Sequence, residues 1–127
     1  MRLMTCLHRI SVVDDDESFG RALVSVLRAT GFEARGFASA EEFLRSASLD
    51  ATDCLILDLQ MPGMNGIELQ RHLLERGSRI PIVFVSGYPG EAKSSALANG
   101  AAAFLEKPLR HEALLEAIAA ATSISRK

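Results

Sequence analysis

The sequence predicts an α/β fold in which a five-stranded parallel sheet carries helices on both faces. Apolar segments suited to strands alternate five times with segments of helical periodicity, over a chain of 127 residues. Residues 55–57 are all aliphatic, as in a central strand that is buried on both sides. Such alternation indicates right-handed crossovers between parallel strands. We expect one domain over 1–127, with a core from about 8 to 122 and a tail or the start of a linker at 123–127.

The first half of the chain predicts two strands and two helices. Residues 9–13 are rich in branched aliphatics and predict the first strand, while 32–37 predict a weaker one. The helix between them has apolar residues at helical spacing. These residues are Phe19, Leu23, Val26 and Leu27. A capping-box pattern at 39–42 opens the second helix, with Phe43 and Leu44 facing inward.

The second half continues the alternation after the central strand. A cap-like start at 65–68 opens a helix that ends at Gly77, and 81–85 predict another buried strand. Residues 91–99 predict a fourth helix and 101–105 a last short strand. The third helix carries Leu69, Leu73 and Leu74. The inward residues of the fourth and fifth helices are Ala92, Ala96 and Leu97, and Leu114, Ala117, Ile118 and Ala121. We expect the fourth helix to be held least firmly, because small side chains bury little area.

Composition excludes several classes of protein. The chain is 48% hydrophobic and 24% charged, with a net charge of −2, which is typical of a globular protein. No basic run is present to bind a nucleic-acid backbone. No segment has the length of a membrane span or the pattern of a signal peptide, so we expect a cytoplasmic location without membrane contact. Cys6 and Cys54 form neither a metal motif nor a disulfide framework, and Cys54 is expected to be a small buried apolar side chain.

Polar residues follow four of the predicted strands directly. Residues 14–16 follow the first strand, Asp58 the third, Ser86 the fourth and Lys107 the fifth. We adopt the strand order 2-1-3-4-5, one of the common orders of doubly wound sheets, in which ligands bind at the carboxyl ends between strands one and three. The four groups therefore belong to one edge of the sheet.

The residue types at this edge indicate phosphoryl chemistry. Clustered carboxylates repel one another unless one is protonated or a cation joins them. Oxygen ligands without His or Cys favour Mg²⁺ or Ca²⁺, and an incomplete cage of two or three carboxylates suits Mg²⁺ better. A carboxylate nucleophile, a metal, a lysine and a hydroxyl together provide what a phosphoryl group needs. We expect a carboxylate that accepts a phosphoryl group and becomes an acyl phosphate.

Four motifs carry a resemblance to a known family. They lie at 12–17, 57–66, 85–87 and 104–108, and read VVDDDE, LDLQMPGMNG, VSG and FLEKP. On these motifs essentially the whole chain resembles the receiver domains of response regulators (CheY-like, two-component signalling), a family with a flavodoxin-like doubly wound fold.

The resemblance implies a role for each acid. Asp58 would be the phosphoacceptor. Mg²⁺ would be bound directly by Asp15, Asp58 and the backbone carbonyl of Gln60, with Asp14 acting through water. The run of three aspartates leaves the register open by one residue, with Asp16 as the alternative ligand to Asp15.

The resemblance also implies the groups that respond to the phosphoryl group. Lys107 would pair with its oxygens, ahead of a cis bond to Pro108. Ser86 and Phe104 would form a switch pair, the hydroxyl moving toward the phosphoryl group and the ring turning inward. Tyr88 is left open between an aromatic of the partner face and a cover for the fourth helix.

The implied function is a phosphorylation-controlled switch that is not a conventional enzyme, because it catalyses only its own phosphorylation and dephosphorylation. The donor would be a phosphohistidine on a sensor histidine kinase or a phosphotransfer protein. The surface of the fourth helix, fifth strand and fifth helix would then control a partner or output domain, and a homodimer formed on phosphorylation is left open. The segments at 40–44 and 61–64 are similar in sequence to receivers that precede LuxR-type DNA-binding domains. Both a stand-alone receiver and a receiver cut from such a regulator therefore fit the sequence.

Three rival hypotheses remain. A small Mg²⁺-dependent phosphohydrolase of the haloacid-dehalogenase kind also uses an aspartyl nucleophile, but the chain is short for that class. A flavodoxin-like flavin binder needs a phosphate loop rich in Ser, Thr and Gly, where this chain has acids. A receiver that signals without phosphorylation is the third.

Overall fold

The predicted alternation of strands and helices is confirmed in a computed structural model, which describes residues 8–87 and 92–125. The strands are β1 (Arg9–Val13), β2 (Glu33–Phe37), β3 (Cys54–Asp58), β4 (Ile82–Ser86) and β5 (Ala103–Glu106). The helices are α1 (Glu17–Thr30), α2 (Ala40–Arg45), α3 (Gly66–Glu75), α4 (Ala92–Ala98) and α5 (His111–Ser125). A short 3₁₀ turn at Ala47–Asp50 was not predicted. The predictions for Cys6, Tyr88 and Glu91 fall outside the described residues.

The strands form one parallel sheet in the order β2-β1-β3-β4-β5, which confirms the predicted order. All five residues of the central strand β3 are buried, as its run of aliphatics predicts. Leu57 lies between Val13 of β1 and Phe84 of β4. The carboxyl ends of β1, β3 and β4 therefore come together at one edge.

Alternate residues of β3 face two separate hydrophobic layers, as the two-residue period of a strand requires. Ile56 packs with α1 and α5 on one face of the sheet. Leu55 and Leu57 pack with α2, α3 and α4 on the other. Burial, with Asp53 nearby, raises the pKa of the Cys54 thiol to about 12, so this side chain stays neutral and acts as the predicted apolar filler.

Side-chain caps fix the beginnings of the helices that face the site. Asn65 and Glu68 form a complete capping box at the start of α3, as the sequence predicts. Ser39 caps α2 by accepting from the Glu42 N–H at 3.0 Å. The Glu42 carboxylate accepts from the Ala38 N–H at 2.7 Å. In a capping box it would accept from the N–H of Ser39.

The predicted inward faces are right for some helices and wrong for others. All four residues predicted for α5 are buried, and Ala96 of α4 is buried. Leu97 is 43% exposed, so its predicted inward orientation is wrong. Of the three leucines that the sequence places in α3, Leu74 is 51% exposed. Gln70, which the prediction did not include, is buried in place of Leu74. In the part of the chain that the structure describes, no helix has the length and apolar character to cross a bilayer.

Candidate functional site

The edge formed by the strand ends collects most of the predicted site residues. Asp58 is the last residue of β3, and its register partner is Val85, directly before Ser86. Asp14 directly follows β1. Beyond β5, the Lys107 N–H donates to the Ser86 carbonyl at 2.9 Å. Backbone pairing thus holds Asp14, Asp58, Ser86 and Lys107 at one edge, as expected.

Three carboxylates form the centre of this edge. One oxygen each of Asp14, Asp15 and Asp58 lies within 4.8 Å of the other two. Asp14 and Asp58 are buried, whereas Asp15 is exposed. The Asp16 carboxylate accepts from the Phe19 N–H at 3.1 Å and caps α1. The geometry therefore groups Asp15, and not Asp16, with the two buried acids.

This donor set fits a hard divalent cation. All three groups are carboxylates, and three oxygens at such separations repel one another strongly when no cation joins them. Mg²⁺ binds oxygen ligands of this kind and commonly retains waters in its remaining positions.

Lys107 supplies a positive charge beside the acids. Its Nζ donates to Asp14 Oδ2 at 3.0 Å and lies 3.7 Å from Asp58 Oδ1. The same ammonium lies 4.3 Å from the centre of the Phe19 ring, within the range of a cation–π interaction. The peptide bond between Lys107 and Pro108 is cis, as the resemblance implied. Sequence reasoning missed the contact with Phe19, because the pattern of α1 marks that residue only as apolar.

The environment of Asp58 favours its protonated form. Burial is the largest cause, and the negative charge of Asp14 and a hydrogen bond with Asp15 act in the same direction. Lys107 and the backbone N–H of Gln60 oppose them, and the pKa of Asp58 is raised to about 7. Without a cation, a proton on Asp58 therefore relieves part of the repulsion within the cluster.

The loop after Asp58 is held against the end of β3 by close backbone packing. The Gly66 N–H donates to the Leu59 carbonyl at 3.0 Å. A Cβ atom on Gly66 would lie 2.5 Å from the Asp58 carbonyl oxygen and 3.0 Å from Leu59 Cα. Glycine is therefore required here for close approach of two backbone segments. The close approach is toward the end of β3 itself.

A second contact on this loop was missed. Glu41 of α2 accepts from the Met64 N–H at 3.1 Å. The two residues are 23 positions apart, and nothing in the local pattern distinguishes Glu41 from a solvated helix acid.

The remaining predicted residues lie around this centre. Ser86 is buried at the end of β4. The half-buried ring of Phe104 stacks on Phe84 with centroids 6.0 Å apart, and Lys93 Nζ lies 6.0 Å from the Phe104 ring. Phe104 therefore lies between the core and α4.

Comparison with known proteins agrees with this geometry. The family model described as the response regulator receiver domain matches residues 10–119. Nodulation protein W of Bradyrhizobium diazoefficiens is 41% identical over 120 residues, which are 93% of this chain and 52% of that protein. Response regulator protein TodT of Pseudomonas putida is 43% identical over 119 residues, covering 91% of this chain and 52% of that protein. The chain thus spans about half the length of these relatives.

A solved structure shows the same fold. The crystal structure of FixJ-N aligns with a TM-score of 0.84 and 32% identity, covering 94% of this chain and 96% of that one. The strand order, the acidic edge and the family match all agree, and the chain belongs to the response regulator receiver domain family.

Proposed function

We propose that this receiver domain accepts a phosphoryl group on Asp58 from a phosphohistidine donor and passes the signal on through a change of conformation. The observation that carries the proposal is the convergence of three carboxylates and Lys107 at one sheet edge, with Lys107 Nζ 3.7 Å from Asp58 Oδ1. A nucleophilic carboxylate flanked by groups that bind phosphoryl oxygens is the arrangement that acyl-phosphate formation requires.

The chemistry assigns a task to each residue. An ionised Asp58 oxygen forms a bond to phosphorus while the bond from phosphorus to the donor nitrogen breaks, and the imidazole leaves with the electron pair. Asp14, Asp15, Asp58 and the Gln60 carbonyl would hold Mg²⁺, which supplies positive charge for the acids and the transferred group. Lys107 binds a phosphoryl oxygen, and its bond to Asp14 keeps the ammonium at the site when no phosphoryl group is bound.

The response is assigned to the neighbouring strands. Ser86 and Phe104 form the switch pair, because Ser86 ends β4 and Phe104 lies in the neighbouring strand β5 beside Lys93 of α4. The surface of α4, β5 and α5 changes and controls an output partner, a second copy of the chain being one candidate. A sensor histidine kinase or phosphotransfer protein is the proposed donor. Receiver domains are not classical enzymes, and the proposed catalysis is limited to gain and loss of this phosphoryl group.

The test is the intact mass of the protein after incubation with acetyl phosphate and Mg²⁺. We expect one added phosphoryl group on the wild type and none on Asp58→Asn. The matched control is Asp16→Asn, because asparagine also caps helices and Asp16 lies outside the acid cluster. This variant should gain the same mass as the wild type.

Two results would contradict the proposal. One is a wild type that gains no mass, and the other is addition that persists in Asp58→Asn. If Asp16→Asn gains no mass while Asp15→Asn gains it normally, the Mg²⁺-binding role proposed for Asp15 belongs to Asp16 instead.

A further inference from the structure

The interface between α3 and α4 contains a buried glutamine that the phosphoryl chemistry does not use. Gln70 of α3 is 1% exposed. Its side-chain Nε2 donates to the Ala96 carbonyl of α4 at 3.0 Å. The opposite orientation of the amide would set two acceptors against each other, so this hydrogen bond fixes which end faces α4.

The other end of the same amide is left without a partner. Gln70 Oε1 is buried and has no hydrogen-bond partner among residues 8–87 and 92–125. A buried polar atom in this condition costs stability, and a buried apolar side chain at this position would avoid the cost. Packing alone therefore does not explain a glutamine at this position, and its single hydrogen bond to α4 indicates a further role.

Among the residues that the structure describes, few other contacts hold α4 to the rest of the domain. Among residues 93–98, whose side chains are described, only Ala96 is buried. The carbonyl that receives the Gln70 bond also accepts from the Ala101 N–H at 3.1 Å, at the end of the helix. A surface cleft of about 390 Å³ lies beside this end and is lined by Gln70, Asn99 and Gly100 among others. The carboxyl end of α4 thus has one side-chain anchor and free space next to it.

We propose that Gln70 is a positioning residue for the switch, which anchors α4 to α3 in the unmodified state and is released when α4 moves. This inference rests on the proposed function, because the movement begins at Ser86, the last residue of β4 before α4. The anchor stabilises one arrangement of α4 and contributes nothing to the other. Its removal therefore shifts the equilibrium toward the arrangement that the modified Asp58 favours.

The variant that isolates the anchor is Gln70→Met, which keeps the length of the side chain and removes both the donor and the unpartnered acceptor. The matched control is Leu73→Met, one turn along the same helix and also buried, where a volume-conserving change costs little. Beryllium fluoride with Mg²⁺ is the probe, because it forms a phosphoryl-like adduct on a carboxylate. Amide hydrogen exchange of α4 in the unmodified proteins is the second measurement.

We expect Gln70→Met to bind beryllium fluoride about fivefold more tightly and to exchange α4 amides about fivefold faster, the ratio that one ordinary hydrogen bond supplies. Leu73→Met should leave both quantities near those of the wild type. Unchanged affinity in Gln70→Met, with altered melting alone, would show a merely structural role and overturn the proposal. If the wild type forms no adduct, the proposed function fails, and the exchange of α4 still decides whether Gln70 is its anchor.

A measurement on the wild type covers the case in which Gln70→Met does not fold. The chain has only two glutamines, Gln60 and Gln70, so their side-chain amide signals are readily distinguished by NMR. The Gln70 amide protons should exchange slowly in the unmodified protein and faster once the adduct forms. Equal, slow exchange in both states would show that the anchor holds throughout and would refute its release.

Discussion

Two successive helices, α3 and α4, follow neighbouring strands of the same sheet but are held in very different ways. The first turn of α3 has a complete capping box, and four residues of this helix are buried, namely Gly66, Leu69, Gln70 and Leu73. In α4, Ala96 is the buried residue among those whose side chains are described, 93–98, and Leu97 faces solvent.

The difference corresponds to two tasks within one domain. The chemistry at Asp58 needs fixed positions, because the acids must keep their separations, and α3 presses its first residue against the end of β3. A signal needs an element with little packing free energy, since a single modification supplies only a few kcal/mol to move it. The firmly held helix belongs to the site, and the weakly held one belongs to the response.

The largest effect is expected where α3 meets β3. Gly66→Ala puts a methyl group 2.5 Å from the Asp58 carbonyl oxygen. This atom is backbone and cannot turn aside, so we expect a loss of about 3 kcal/mol in the free energy of unfolding. Urea denaturation measures it. The control is Gly20→Ala in α1, where no atom beyond the adjacent residues and the backbone of the same helix lies within 4 Å of the added carbon. This variant should gain up to about 1 kcal/mol from helix propensity. Equal stability of the two variants would mean that α3 is not packed as closely as described.

A smaller effect of opposite sign is expected at Asp58. In the folded protein the pKa of Asp58 is about 7, against an ordinary value of 3.8. Between these values the folded state holds a proton that the unfolded state has lost, so this group's contribution to stability falls as the pH rises from about 4 to about 7. Asp58→Asn removes the repulsion. Without divalent cations we expect it to be more stable than the wild type by about 2 kcal/mol at pH 8, since one pKa unit corresponds to about 1.4 kcal/mol and solvent screening reduces the full value.

The comparison is made by thermal denaturation in a chelator across this pH range. The gap between the two proteins should be small near pH 4 and complete above pH 7. A constant difference between Asp58→Asn and the wild type would argue against repulsion as its cause.

The sequence predicted the fixed part of the molecule well because its signals are local. A run of aliphatics before Asp58 specifies a buried strand, and an Asn-Gly-x-Glu pattern specifies the cap of α3. Once parallel strands alternate with helices, the carboxyl ends must share an edge, so the grouping of Asp14, Asp58 and Lys107 follows from chain order. These inferences needed no knowledge of tertiary packing.

The contacts that sequence reasoning missed depend on which side of a helix meets its neighbour. The apolar pattern of α3 does not separate Leu74 from Leu69 and Leu73, yet the helix turns Gln70 toward α4 and leaves Leu74 in solvent. The inward prediction for Leu97 is wrong because a seven-residue helix gives too few positions to define a face. The contact between Glu41 and Met64 joins distant segments, and no pattern within either segment indicates it.

The smallest effect tests the weakly held helix directly. Ala96→Gly and Ala117→Gly remove the same buried methyl group from α4 and α5, and each change disfavours the local helix by about 1 kcal/mol. Helix α5 has 15 residues, and five of those whose side chains are described are buried, so the full cost of Ala117→Gly should appear in the global free energy of unfolding. If α4 opens without unfolding the domain, Ala96→Gly should instead appear as faster amide exchange in α4, with a global loss well under 1 kcal/mol. Equal global losses in the two variants would show that α4 unfolds only with the whole domain, and the contrast between α3 and α4 would then not extend to their stability.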